Sequence, residues 1–240
     1  MVRAKRSKEE AAPSTSCIII GDMHAPYTDV AAMSACLEAV EREKPTYVIQ
    51  MGDLYDQYAF SKYARNPNHT TPREEMDTAK VFADVFWRNI RHNSPKSKCY
   101  QLLGNHDVRL DKRIAERLPE LTGLLSLRHY FKFDGVETQE SDRDILELTI
   151  NSEPVVFHHG WLSKPGDHVK YFGRSTVIGH SHSPHVLYHR HHRGALFELN
   201  VGYVGDPAAH VFSYAGAMNK WTRAYGTIDK YGPRVVALEK

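Results

Sequence analysis

Five short segments of this chain end in residues that hold metals or move protons. They read Gly21-Asp22-Met23-His24, Gly52-Asp53-Leu54-Tyr55-Asp56, Gly104-Asn105-His106-Asp107, His158-His159-Gly160 and Gly179-His180-Ser181-His182. Aspartate, histidine and asparagine without a thiolate make a nitrogen and oxygen donor set. It suits borderline divalent ions such as manganese, iron, cobalt, nickel or zinc better than calcium or magnesium. The ligand candidates Asp22, His24, Asp53, Asn105, His159, His180 and His182 are too many for one tetrahedral ion, and suit two ions about 3.5–4 Å apart that share a carboxylate. Asp22 and His24 stand two residues apart, as do His180 and His182, so each pair can face one ion from an extended segment. A single D-x-H or H-x-H pair carries little information; five such clusters in this order carry much.

The elements that must position these residues follow from the apolar pattern. Cys17 to Ile20 is a short β-branched run ended by Gly21. Asp29 is a natural N-cap for a helix whose apolar residues Val30, Met33, Leu37 and Val40 recur at helical spacing until Pro45. Thr46 to Met51 predicts a second strand, ended by Gly52. An irregular stretch follows from Arg65 to Pro72, then a helix from about Arg73 to Ile90, then a third strand from Lys98 to Leu103. Strands alternating with helices predict parallel, buried strands, whose C-terminal ends converge on one crevice. Residues 110–128 read as helical, with a break at Pro119. Beyond them strand-like runs dominate: Ile145–Ile150, Val155–Phe157, Thr176–Ile178, His185–Tyr188, Ala195–Leu199 and Arg234–Leu238. With no internal linker, the expected organisation is a charged lead-in over residues 1–15 and one α/β domain over 16–240.

Composition narrows the class. No apolar run approaches the roughly 18 residues of a membrane helix, so no membrane partner is expected. The apolar stretch behind the basic N-terminus is too short for a signal peptide. Three cysteines, Cys17, Cys36 and Cys99, lack ligand spacing and point to a reducing, cytoplasmic setting. A formal charge of +2, from 31 basic and 29 acidic residues, requires no polyanionic partner. Nucleic acid is therefore an open but unfavoured substrate, and self-association is open. The 15 histidines are the compositional outlier, and histidine is the commonest metal ligand.

In this order the motifs Asp22-x-His24, Gly52-Asp53-x-x-Asp56, Gly104-Asn105-His106-Asp107, His159-Gly160 and Gly179-His180-x-His182 resemble those of the calcineurin-like metallophosphoesterases, over residues 17 to 182. The resemblance implies a four-layer α/β/β/α sandwich of two mixed sheets with flanking helices, the site lying between sheet edges. It implies that Asp22, His24, Asp53 and His182 hold one metal and that Asp53, Asn105, His159 and His180 hold the other. Asp53 would bridge two divalent transition-metal ions (Mn, Fe, Ni, Co or Zn, with manganese favoured). A metal-bridging hydroxide would be the nucleophile. His106 would touch the phosphate or protonate the leaving oxygen, and Asp107 would orient His106. The family's lone histidine ligand directly precedes glycine, which favours His159 over His158. Protein phosphatases of the superfamily carry arginine and glycine where this chain has Gln57 and Tyr58, and arginine where it has Leu103. The expected activity is therefore a phosphodiesterase on nucleotides or small phosphodiesters, as in the compact bacterial and phage enzymes. The alternatives are a DNA or RNA nuclease, a phosphomonoesterase or protein phosphatase, and a non-catalytic binding module.

Residues near the motifs admit two readings each. Asp56 is expected to hydrogen-bond a ligand rather than be one. Tyr27, Tyr55, Tyr58 and Phe60 either stack a base or pack the sandwich edge. Arg109, Lys112 and Arg113 either meet substrate charge or form a solvated helix face. The histidine-rich run 185–193 reads as an exposed hairpin, with polyphosphate or metal binding as the other reading. His69, His92, His129, His168 and His210 read as ordinary polar residues.

Overall fold

A computed structural model describes residues 15–62, 70–192, 194–212 and 221–238. The lead-in up to residue 14, most of the irregular stretch from Arg65, His69 and Arg193 lie outside the described residues. The elements run β1 (Cys17–Ile20), α1 (Val30–Glu43), β2 (Tyr47–Gln50), α2 (Pro72–Asn93), β3 (Lys98–Gln101), α3 (Arg109–Arg117), β4 (Val136–Thr138), β5 (Leu146–Ile150), β6 (Glu153–Phe157), α4 (Asp167–Phe172), β7 (Ser175–Ile178), β8 (His185–His191), β9 (Gly194–Asn200), β10 (Ala224–Asp229) and β11 (Gly232–Ala237).

Two mixed sheets result. One has the order β11-β10-β1-β2-β3-β4, the other β5-β6-β7-β9-β8. In the first, β1 to β4 run parallel and β10 lies antiparallel to β1, Cys17 opposite Ile228. In the second, β6, β7 and β9 are parallel, with antiparallel strands at both edges. The period of two along β1 separates its side chains. Ile18 and Ile20 pack with Met33, Cys36 and Val40 of α1 and with Phe86, Trp87 and Ile90 of α2. Cys17 and Ile19 face the other way, onto Phe157, Val177 and Leu199 of the second sheet. The short α4 packs outside β7 and β9. The layers are thus α/β/β/α, as the motifs imply. All three cysteines are buried as free thiols. No helix among the described residues is long and apolar enough to cross a membrane.

Helix starts follow their local chemistry. Asp29 accepts from the N–H groups of Ala31 and Ala32. At α2, Thr71 and Glu74 form a reciprocal capping box with Pro72 in the first turn; such caps each contribute about 1 kcal/mol. The predicted helix over 110–128 is corrected: α3 stops at Arg117, followed by single tight turns at Pro119–Leu121 and Arg128–Phe131. Proline disfavours the helical conformation of the residue before it, so the expected break at Pro119 is present, and no α-helix resumes over the rest of that stretch, where Leu124 lies 76% exposed. The expected hairpin at 185–191 is present as β8 and β9.

Three elements escape the apolar pattern: β4, α4 and β10. Strand β10 contains Gly226, where a Cβ would lie 2.6 Å from Val201 Cγ1. The sheets approach too closely there for any side chain. Gly226→Val is expected to destabilise the fold by about 1–3 kcal/mol through overpacking, read as a lower urea midpoint at unchanged slope.

Candidate metal centre

Parallel β1, β2 and β3 deliver Asp22 to His24, Asp53 to Asp56 and Asn105 to Asp107 at one end of the first sheet. Parallel β6 and β7 deliver His159 and His180 to His182 at the facing end of the second. The pairing of β1 and β2 continues into their loops, His24 N–H donating to Asp53 O at 2.9 Å and Ala25 N–H to Leu54 O at 2.8 Å. Asp22, His24, Asp53, His180 and His182 have φ values of 22°, 50°, 49°, 66° and 55°. Such left-handed backbone costs of order 1–3 kcal/mol for a residue with a side chain. The neighbouring glycines have a steric reason. A Cβ on Gly104 would fall on the Asp53 carboxylate, and one on Gly179 would lie 2.9 Å from Asp22 Oδ1.

All seven ligand candidates meet here. Asp53 Oδ2 lies 3.2 Å from His159 Nε2, and Asn105 Oδ1 lies 3.2 Å from the same nitrogen. His180 offers a donor atom within 4.8 Å of those of Asp53 and His159. His24 Nε2 and His182 Nε2 are 3.0 Å apart, and His182 Nε2 is 3.3 Å from Asp22 Oδ2. A second group of donor atoms within 4.8 Å of one another joins His24, Asp53 and His106.

The electrostatics are those of a site short of positive charge. Asp22 is fully buried, and neither of its carboxylate oxygens has a hydrogen-bond partner. Burial pushes its pKa up to about 8. Burial opposes ionisation of Asp53 as well, yet His159 and His106 hold its pKa well below the ordinary range. His159 rises in return to about 10, burial being outweighed by Asp53 and Asp22. Burial lowers His24, His180 and His182, reinforced by the imidazoles beside them. Two neutral rings meeting nitrogen to nitrogen share one proton at most, and a buried carboxylate without donors is costly. A cation among them satisfies the lone pairs and the charge together, so the residues fit divalent transition metals.

Supporting contacts aim the rings. His159 Nδ1–H donates to Met51 O at 2.9 Å, which turns Nε2 toward Asp53. His24 Nδ1 sits 3.0 Å from Asp56 Oδ2, which turns its Nε2 toward His182. Metal-binding histidines are commonly oriented this way. His158 turns aside: its Nδ1 accepts from Gly160 N–H at 2.8 Å and its ring packs 4.4 Å from Trp161.

The group on His106 is Asp56, not Asp107. His106 Nδ1 lies 3.2 Å from Asp56 Oδ2 and 3.1 Å from Asp56 O. The Asp107 carboxylate instead accepts from the N–H groups of Gly104 (2.8 Å), Tyr55 (2.9 Å) and Leu54 (3.3 Å). It ties two site loops together and leaves no oxygen for the imidazole. Burial works against ionisation of Asp56, but His106 and His24 hold its pKa well below the ordinary range. Arg109, one of the open residues, donates from Nη1 to Asp56 O at 2.9 Å, and its Nη2 lies 2.9 Å from His106 Nε2. Burial favours the neutral ring of His106, as does Arg109, but Asp53 and Asp56 outweigh them and hold its pKa above the ordinary value. With Arg109 in this position, Nδ1–H donates to Asp56 and Nε2 accepts. Gln57 is locked inward, donating to Asp107 O at 2.6 Å and accepting from Leu110 N–H at 3.0 Å.

The centre opens into a cavity of about 500 Å³ lined by Asp53, His106 and His180 together with the cations Lys62, Arg109 and Arg113. Phe60 also lines it, whereas Tyr55 and Tyr58 are buried, Tyr55 donating its hydroxyl to Tyr130 O at 2.7 Å. His168, read as an ordinary polar residue, is buried and accepts from the N–H groups of Trp161 and Leu162, both at 3.1 Å.

The profile of the calcineurin-like phosphoesterases matches residues 16–228. The chain belongs to the calcineurin-like phosphoesterase family. Among solved structures, this phosphoesterase is similar to Vps29 from Chaetomium thermophilum, with 14% identity, TM-score 0.52, and 95% and 93% of the two chains covered. It is also similar to the phosphoesterase Yfce from E. coli, with 16% identity, TM-score 0.50 and 93% of each chain covered. An archaeal phosphodiesterase matches with 14% identity and TM-score 0.49, over 93% of this chain and 100% of that one. At these identities the likeness concerns the fold. No curated protein sequence matches the chain.

The pKa shifts give this phosphoesterase a pH signature. Below about pH 8 in the metal-free protein Asp22 carries a proton, and below about pH 10 His159 does. Binding a cation requires both to lose it. At pH 7, loading with manganese is therefore expected to release about two protons, read as the buffer dependence of the calorimetric enthalpy. Affinity should rise with pH and the release should shrink as pH passes 8 and then 10.

Proposed function

We propose that this phosphoesterase is a divalent-metal-dependent phosphodiesterase acting on nucleotides or small phosphodiesters. The observation that carries the reading is the buried pair Asp22 and Asp53, ringed by imidazole nitrogens and opening onto a cavity walled by Lys62, Arg109 and Arg113. Metal-type donors and cations lining one cavity suit the binding of a phosphate. In this reading Asp22, His24, Asp53 and His182 hold one ion and Asp53, Asn105, His159 and His180 the other, with manganese favoured. When bound, such ions supply a water of lowered pKa and Lewis-acid contacts to the phosphoryl oxygens.

The remaining roles belong to the chain. Asp56 fixes the tautomers of His24 and His106 from one carboxylate, leaving both Nε2 atoms free to face the centre. Arg109, at His106 Nε2, is placed to take a phosphoryl oxygen. Once it does, His106 Nε2 is open to a proton, which Asp53 and Asp56 favour and which it delivers to the leaving oxygen. Gln57 stands where protein phosphatases of the superfamily have arginine and is spent on Asp107 and Leu110. The clamp then comes from Arg109, on a different element. A cavity of about 500 Å³ suits a nucleotide-sized ligand. The likeness to Vps29, a vacuolar protein sorting protein, rests on fold alone, and the complete donor set here favours catalysis over a purely structural role.

Purified protein with manganese is expected to hydrolyse bis(p-nitrophenyl) phosphate and to lose this activity on chelation. No turnover with manganese, iron, cobalt, nickel or zinc overturns the proposal. His106→Ala should lower kcat by about 10²–10⁴ while metal content, read by elemental analysis, is kept; loss of an ion would make His106 a ligand instead. Arg109→Ala should raise KM by about tenfold or more, the worth of a charge-assisted hydrogen bond.

A further inference from the structure

A second cavity, of about 480 Å³, adjoins the first. It shares Asn105, Lys112 and His180 with the first and carries His159 in its wall. Trp161 and Tyr171 line the same cavity, 44% and 69% exposed. Their rings lie 5.3 Å apart at 90°, which forms a right-angled aromatic corner.

This corner is built rather than incidental. The N–H of Trp161 donates to the buried His168 at 3.1 Å. The indole is packed edge to face by His158 at 4.4 Å, His168 at 5.1 Å and Phe172 at 5.7 Å. Tyr171 rides on α4, whose first turn is anchored to the buried Glu198 carboxylate by Gly166 N–H at 2.6 Å, His168 N–H at 3.1 Å and Val169 N–H at 3.3 Å. A buried charge and a buried imidazole thus hold two rings that remain open toward the cavity. The cations Lys112 and Arg143 share that space, Lys112 pairing with Asp142 at 2.7 Å.

We propose that Trp161 and Tyr171 form the subsite for the nucleobase of a nucleotide whose phosphate lies at His159 and His180. A flat ring stacked on one side chain meets the edge of the other, the offset and perpendicular contacts that aromatic systems prefer. Trp161 is two residues beyond His159, so their Cα atoms are at most about 7 Å apart, a gap that the sugar bridges. Every base has a π-face, so the corner selects a base over no base rather than one base over another. The inference rests on the phosphoesterase reading for the place of the phosphate.

The test is calorimetric binding of adenosine 5′-monophosphate and ribose 5-phosphate to the manganese-loaded protein, which needs no turnover. The native protein is expected to bind the nucleotide about tenfold tighter or more, the worth of one stacked base. Trp161→Ala should remove that preference and Trp161→Phe should keep most of it. Tyr171→Ala, at an exposed position that leaves folding intact, should reduce it several-fold. Equal binding of the two ligands by the native protein, or a preference undiminished in both alanine variants, overturns the subsite. Hydrolysis of bis(p-nitrophenyl) phosphate together with equal binding overturns the subsite and leaves the phosphodiesterase reading standing. A nucleotide preference without hydrolysis supports the subsite and removes the other.

Discussion

Two carboxylates taken out of water govern this molecule. Asp22 and Asp53 lie where the ends of the two sheets meet, 0% and 1% exposed. An ion without partners in such a place costs several kcal/mol. The surroundings read as answers to that cost. His159 faces Asp53 and is drawn toward its charged form. The ligand loops accept left-handed backbone so that their side chains converge. Asp107 is given wholly to three backbone N–H groups, which lets the loop after β2 and the loop after β3 hold one shape. Asp22 has imidazoles nearby but no hydrogen-bond donor on either carboxylate oxygen, and it is the group that most calls for a cation.

Around that centre the layers do different work. The helix-covered face of the first sheet holds the large core with Phe86 and Trp87. The face between the sheets is thinner and lined by Ile19, Ile49, Val177 and Leu199. That thin seam allows loops from both sheets to reach one another. The second sheet contributes histidines through β6 and β7, and its outer helix α4 serves Trp161 and Tyr171. The two cavities meet at Asn105, Lys112 and His180, so a ligand lying across the centre would touch cations on one arm and aromatic rings on the other.

The meeting of the seven residues was legible because each follows a buried strand with a glycine close by, a pattern that survives in one dimension. The layer order followed from the motifs, β1 and β2 from their β-branched residues, and β3 from the run that ends at Gly104. What escaped was written in contacts rather than in periodicity. Strand β10 is interrupted by Gly226, which serves the partner sheet and lowers the apparent strand propensity. Helix α4 is six residues long and held by Glu198, too short for a 3.6-residue repeat to show. The exchange of roles between Asp56 and Asp107 depends on which carboxylate the loop after β3 turns toward the backbone, which spacing does not encode. Trp161 and Tyr171 belong to no motif. Their exposure beside the histidines appears only when the sheets are assembled.

The pairing of β1 with β10 places the beginning of the fold in the keeping of its far end. Cys17 lies in register with Ile228. At a synthesis rate of roughly 5–20 residues per second, the first strand waits roughly 10–40 s for its antiparallel neighbour to be translated. Throughout that interval one edge of β1 has no partner, while Asp22 and Asp53 remain accessible to water. A growing polypeptide on the ribosome therefore keeps one edge of the site-bearing sheet unpaired until β10 has emerged.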